Sequence, residues 1–267
     1  MSNNFARADA RRARRNCSSW PLAARLPGRL SRPEFLPGLE LALHSTQLTG
    51  LSNSDPVATW TDASGYDRHG TQESVGSQPT YQTNQTPNGR PAVQFDGDDF
   101  LTIGSGTDIR PTTGLSIYAV HRIDSSVTHA FPVLLEDANL GGLTGGYRVD
   151  LQVSGPYSRL AITNGSDLAV AFGTTTLDEW HIRSSTWSMA AGEVLVGVDG
   201  QIVGRDSQAD PIDYTTALGL NLGATSNGAG KFYQGEVAAV LIYSVGHSAV
   251  QRHAIERALA QEYGINR

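Results

Sequence analysis

From residue 39 onward the chain is a succession of short runs, each rich in β-branched or alternating apolar residues and each stopped by turn-forming residues. LELAL (Leu39–Leu43) comes first. VATW, PAVQF, LSIYAVHR, FPVLLE, YRVDLQV, RLAIT, LAVAF, WHIRSSTW, EVLVGV, QIVG, LGLNLG and EVAAVLIYS follow. Side chains alternate between faces along a strand, so each run buries one face and needs a second layer to bury it against. Strands recurring this often between turn signals predict two packed antiparallel sheets. The 29 glycines and 12 prolines, with almost no long helical pattern, favour the same all-β reading.

The sharpest local signal is VLVGVDGQIVG, in which Asp199-Gly200 separates two alternating runs. A two-residue hairpin turn requires positive φ at both centres, which Asp-Gly tolerates. Only HSAVQRHAIERALAQEYGI is strongly helical. Ser248 and Gln251 form a capping box, Val250, Ala254, Ile255, Ala258 and Leu259 make an apolar face, and Gly264 supplies the stop. The spacing predicts a helix over 248–263 lying as a lid on the sandwich.

The first 35 residues read differently. Residues 1–32 hold Arg7, Arg11, Arg12, Arg14, Arg15, Arg25, Arg29 and Arg32 against one acid, Asp9, a charge of +7; the remainder, with 12 basic and 25 acidic side chains, stands at −13. A basic tail on an acidic body implies an anionic partner for the tail. Pro27, Gly28, Pro33, Pro37 and Gly38 read as extended linker, which divides the chain into an arm over 1–35 and a domain over 36–267. Arg25, Arg29 and Arg32 interrupt the apolar segment a secretory signal needs, and an organellar transit peptide is matched only loosely. No apolar run approaches the roughly 18 residues of a membrane span. The single cysteine, Cys17, lies in the arm, so no intrachain disulfide forms.

Several spaced pieces, LPGLELAL, VATWTDASGYDRHG, QPTY, NGRPAVQFDGDDFLTI, LSIYAVHR, GGYRVDLQV, EWHIRSSTW, VGVDGQIVG, LGLNLGA and KFYQGEVAAVLIYSVGHSAVQRHAIERALAQEYGI, run in one order from about residue 36 to the C-terminus. Together they resemble the laminin-G-like, concanavalin A-like jelly-roll domains of bacterial surface proteins and bacteriophage particle proteins. The resemblance implies an all-β, two-sheet antiparallel jelly-roll sandwich, here with an extended N-terminal arm and one C-terminal helix. Ala42 departs from the pattern, standing where a larger residue is usual. This fold hosts lectins, peptide-binding modules, polysaccharide-cleaving enzymes and structural decorations, so particular residues must decide among them.

The acidic cluster FDGDDF offers Asp96, Asp98 and Asp99 as ligands for a hard cation such as calcium, with Asp62 of WTDASGYD as a further candidate. A turn built on Asp and Gly explains the same cluster. Trp60 and Asp62 read as structural in the family pattern, the indole packed in the core and the carboxylate bonded to backbone amides. A polysaccharide-cleaving site needs two carboxylates facing each other across a groove. Glu136-Asp137 and Asp178-Glu179 are sequence neighbours whose side chains point to opposite faces in a strand. The seven histidines lack metal-ligand spacing, and no glycine-rich loop precedes a helix. No cofactor is assigned, calcium excepted as a candidate.

Nucleic acid is a poor partner for the arm: RADARRARR could form a short basic helix, yet phosphate neutralisation alone gives nonspecific, salt-dependent affinity, and the −13 body repels a long polyanion. Arginine forks with Trp20, Phe5 and spaced leucines suit docking on a protein surface instead. The expectation is a non-enzymatic virion decoration or minor structural protein, held by its arm on a capsid or tail, with the sandwich free to touch host glycans. The alternative is a free-standing, lectin-like carbohydrate-binding module, extracellular or on a cell surface.

Overall fold

The structure, a computed structural model, describes residues 36–129, 132–138, 145–153, 155–226, 228 and 230–266. Strands β1 (Leu39–His44), β4 (Thr80–Gln82), β5 (Ala92–Asp96), β7 (Gly114–Ile123), β12 (His181–Ser188), β13 (Glu193–Val198), β14 (Gln201–Ser207) and β16 (Gln234–Tyr243) form sheet A. Its order is β14-β13-β12-β7-β16-β5-β4, with β1 also paired to β16. Sheet B runs β11 (Leu168–Thr174), β10 (Tyr157–Thr163), β9 (Gly146–Gln152), β8 (Val133–Ala138), β15 (Asn221–Leu222), β6 (Leu101–Ile103), β3 (Gly70–Thr71) and β2 (Thr59–Trp60). Neighbours pair antiparallel, as in β12 with β7 and β9 with β10. The two-sheet sandwich expected from the strand pattern is present.

Alternation explains how each strand is used. Leu115, Ile117 and Ala119 of β7 meet Tyr147, Val149 and Leu151 of β9 in the core between the sheets, with Trp60 and Trp187 buried completely. The intervening residues of sheet A, Tyr118, Val120, Ile182, Leu241 and Tyr243 among them, form a second apolar layer on its outer face. Helix α1 (Ala249–Tyr263) covers that layer with Ile255, Leu259, Ala260 and Tyr263, so it is the lid its pattern predicts. The capping box between Ser248 and Gln251 is formed and Gly264 closes the helix at φ 72°.

Its buried face differs from the one expected. Val250 and Ala254 are exposed, whereas Arg252 and Glu256 are buried and paired at 2.9 Å. Glu256 also accepts from Ser184 Oγ of β12 at 2.8 Å. A polar residue of sheet A thus draws the helix round by about one position, and the i,i+4 ion pair satisfies both charges where an apolar contact was expected. The Asp199-Gly200 turn has φ 49° and 88°, as a primed hairpin turn requires, and the Asp199 carboxylate lies 2.7 Å from His181 Nδ1 and accepts from Ile182 N at 2.8 Å.

At one side the sandwich closes on itself. The inward residues of β11 are Ala169, Ala171 and Gly173, small enough for β14 of the other sheet to approach. A Cβ on Gly173 would lie 2.1 Å from Val203 O, and one on Gly204 would lie 2.4 Å from Phe172 O. Both obstacles are backbone, which side-chain rotation does not relieve. Gly173→Ala is therefore expected to destabilise the fold by about 2–4 kcal/mol, measured by urea denaturation. Gly76→Ala, where a Cβ meets nothing within 4 Å, serves as the control and should change stability little.

Candidate functional site

Among the described residues, the outer side of sheet B near this closure carries a linked set of charged side chains. On β9 the apolar Tyr147, Val149 and Leu151 point inward, which leaves Arg148, Asp150 and Gln152 outward. Asp150 faces Arg159 of β10 in register, and Arg159 in turn faces Phe172 of β11. Arg159 grips Asp150 with two parallel bonds, Nε to Oδ1 at 2.7 Å and Nη2 to Oδ2 at 2.6 Å. Arg148 Nε lies 2.8 Å from Asp150 Oδ2, and its Nη1 lies 3.4 Å from Glu136 Oε2 of β8. One row, Glu136–Arg148–Asp150–Arg159, therefore crosses three strands.

Arg148 is held by one long bond from Nη1 to Glu136 and by the proximity of Asp150, whereas bidentate pairing fixes both the position and the plane of the Arg159 guanidinium. Glu136 is held as firmly, accepting from Ser226 N at 2.9 Å and from Ser226 Oγ at 3.1 Å. The row ends at an aromatic pair: Tyr157 of β10 and Phe172 of β11 meet edge to face at 5.7 Å, and Phe172 is 54% exposed. Glu136 and Asp150 are fully buried and Arg148 nearly so, so the part of the row that reaches the surface is the Arg159 guanidinium, 19% exposed, beside the exposed phenyl ring.

Beneath the row lies a further cation. Arg183 of β12 is fully buried and extends from sheet A to sheet B, where Nη1 donates to Asp150 O at 3.0 Å and Nη2 donates to Arg159 O. Desolvation pulls its pKa down to about 9 against the opposing attraction of Asp150. His121, opposite His181 in register, is pushed well below the usual imidazole range by its burial and by Arg183. The histidines that look scattered in sequence thus include one adjacent cross-strand pair.

The residues singled out by sequence fall elsewhere. Asp96, Asp98 and Asp99 converge in the turn between β5 and β6, with carboxylate oxygens within 4.8 Å of one another, and would supply the carboxylate part of a hard cation's oxygen shell. Asp62 does not join them. It accepts from Ala42 N at 2.9 Å, Ser64 N at 2.9 Å, Ser64 Oγ at 2.6 Å and Arg68 N at 3.1 Å, a structural role like that of buried Trp60. Glu136 and Asp137 point to opposite faces, Asp137 being tied inward to Arg110 at 2.9 and 3.1 Å. Arg7, Arg11, Arg12, Arg14, Arg15, Trp20, Arg25, Arg29 and Arg32 lie outside the described residues. Among the described residues no helix is long and apolar enough to cross a membrane.

A recess of about 470 Å³ lies on the opposite face, between the start of α1 and strands β12–β14. Its indole, Trp187, is fully buried and donates to Gln208 O, and its exposed Arg205 is 3.7 Å from Glu193. It offers no exposed aromatic platform. Sequence reasoning overlooked the sheet B face because its signal, R-V-D-L-Q against Y-S-R-L, gives alternation but not the register that sets Asp150 against Arg159.

No family model matches the chain, and no curated protein matches it in sequence. Solved structures match in fold. The CBM40 of the Ruminococcus gnavus IT-sialidase, bound to α2,3-sialyllactose, is 10% identical over 62% of this chain and 96% of its own, with a TM-score of 0.52. A structure of botulinum neurotoxin type C, whose cell entry depends on interaction with two ganglioside molecules, is 10% identical over 83% of this chain and 51% of its own, with a TM-score of 0.56. The Trypanosoma rangeli sialidase in complex with the inhibitor DANA is 14% identical over 85% of this chain and 33% of its own, at 0.51. The chain thus spans about half of the toxin chain and a third of the sialidase chain. At such identities the likeness is one of fold, and it agrees with the jelly-roll sandwich.

Burial raises the Asp99 pKa to about 7, with the nearby Asp96 and Asp98 charges adding to the effect and a hydrogen bond from Asp96 N opposing it. A raised carboxyl contributes stability that is complete below its unfolded pKa near 3.8 and is lost as pH rises through about 7. Asp99→Asn keeps the acceptor for Asp96 N and removes the charge. It should match the parent at pH 4 and exceed it by roughly 1–3 kcal/mol at pH 8, as read from denaturation curves at the two pH values.

Proposed function

We propose that the protein is a non-catalytic glycan-binding module whose sugar site is the outer face of sheet B across β9, β10 and β11. The observation that carries this reading is the exposed Phe172 ring, braced by Tyr157, at the end of the immobilised Arg159–Asp150 pair. Sugar rings stack an apolar face on such a platform, while the part-exposed Arg159 guanidinium, fixed in place by buried Asp150, lies at the edge where it can meet a hydroxyl. The distance from β8 to β11 is three strand spacings, about 14 Å, the length of a short oligosaccharide. Support also comes from the fold neighbours that bind sialyllactose and interact with gangliosides. The opposed directions of Glu136 and Asp137 favour binding over glycoside cleavage.

Phe172→Ala should weaken binding on a glycan array about 10-fold, the equivalent of one stacking contact of about 1.4 kcal/mol, without loss of the far-UV circular dichroism spectrum. Unchanged binding by that variant, or binding that survives Tyr157→Ala and Phe172→Ala together, would place the site elsewhere.

The finer reading is a laminin-G-like sandwich displayed on a larger particle, a bacteriophage capsid or tail, with the arm as the docking strap. It rests on the charge division between arm and body and on the Trp20 and leucine anchors. A protein lacking residues 1–35 should fold with an unchanged melting profile and no longer sediment with particles; co-sedimentation of the truncated form would overturn the docking role. A free-standing module on an extracellular surface is the competing setting, and arm-independent glycan binding is common to both.

A further inference from the structure

Lys231 is the only lysine in the chain and stands at the start of the charged row. Its carbonyl accepts from Val133 N at 2.8 Å, and Val133 is the β8 partner of Asp150. The ammonium is half-buried, and its charge is felt by Arg148, Asp150, Glu136 and Arg159. Arg148 is engaged by Glu136 and Asp150, and Arg159 by Asp150, whereas Lys231 makes no ion pair among the described residues. Among the described residues, Arg148, Arg159 and Lys231 have two carboxylates near them, Glu136 and Asp150. Desolvation, followed by repulsion from Arg148, lowers the lysine's pKa, the direction expected of a cation that lacks a counter-ion.

The backbone at this residue is also unusual. Among the described residues, the non-glycine positions with positive φ are Ser54, Asp67, Asn84, Asp178, Asp199 and Lys231, the last at 51°. Five are short polar residues whose side chains bond locally and suit turns. A long, uncompensated lysine gains nothing of that kind, and holding it in the left-handed region costs about 1 kcal/mol. A residue kept there against both sterics and electrostatics is a candidate for ligand contact rather than for folding.

We propose that Lys231 is the anion-recognising group of the sheet B site and that the glycans bound there carry a carboxylate or sulfate group, placed against Lys231 while a neutral ring lies toward Phe172. This rests on the glycan-binding reading above. An anion at this point balances the third cation, and partial burial limits screening by salt. The Arg183 charge beneath the Asp150 and Arg159 carbonyls adds positive potential from the inner side of the sheet.

The test uses the full chain on an array of matched oligosaccharides in neutral, carboxylated and sulfated forms. Lys231→Asn is the informative variant, because asparagine accepts the left-handed backbone and removes only the charge. Wild type is expected to favour the acidic forms at least 10-fold over the neutral one. Lys231→Asn should lose that preference while holding the neutral form unchanged, and Lys231→Arg should restore it. The ratio between carboxylated and sulfated forms tells which anion is preferred. A wild type that prefers neutral glycans, or an acid preference that survives Lys231→Asn, overturns the role of Lys231 and leaves glycan binding standing. Failure of the wild type to hold any glycan overturns the binding reading itself, and the role of Lys231 with it.

Discussion

The interaction on which the sandwich most depends is the one between Arg183 and the carbonyls of Asp150 and Arg159. A guanidinium in the space between two sheets loses most of its hydration, a loss that apolar neighbours would not replace. Arg183 recovers it by reaching across the sandwich to two backbone carbonyls and to Ser185 Oγ at 3.1 Å. Even with its pKa lowered to about 9 it stays protonated at neutral pH. The consequence is geometric: sheet A is tied to adjacent strands of sheet B at the register point where Asp150 meets Arg159. Sliding either sheet by one residue would strand a buried charge.

The outer row inherits its order from that tie. Asp150 and Arg159 present backbone to Arg183 on one side and side chains to each other on the opposite side, so the inner bond and the outer ion pair fix the same two residues. Buried or half-buried ion pairs add little net stability, since desolvation offsets most of their attraction. Their value here is definition of place. A rotamer-rich side chain such as Arg159, held in one plane by Asp150, would lose little further freedom on meeting a ligand, which is the general advantage of preorganisation. The small inward residues of β11 complete the arrangement, since Ala169, Ala171 and Gly173 let β14 close under the strand that displays Phe172.

Much of the fold was legible because it depends on local signals. Alternation gave the strands, Asp199-Gly200 gave its hairpin, and Ser248, Gln251 and Gly264 gave the limits of the helix. The helix face was misjudged at Val250 and Ala254 because periodicity counts apolar residues and does not foresee a buried Arg252–Glu256 pair answering Ser184 across the interface. The same limitation hid the site. Arg148, Asp150 and Arg159 look like ordinary outward residues of two strands, and only register makes them a row; Lys231 sits some 70 residues further along, brought alongside by the bond from Val133 to its carbonyl. The acidic turn at Asp96–Asp99 was visible for the opposite reason, its members being neighbours in sequence.

The local excess of positive charge at Lys231 stands on a body whose formal charge beyond residue 32 is −13. These two scales act on different ligands. Fields from distant acidic side chains are screened over about 8 Å in physiological salt, so a ligand with one anionic group near Lys231 feels mainly the row beneath it. An extended polyanion reaches beyond the row and meets the acidic surface with each further charge. If the proposed site binds as inferred, the arrangement would discriminate by the spacing of charge along the ligand as well as by its sign. On the proposed reading, an isolated acidic sugar within a largely neutral oligosaccharide would satisfy Lys231 and leave neutral rings for Phe172, whereas a uniformly charged polymer would gain at one position and be repelled at the next.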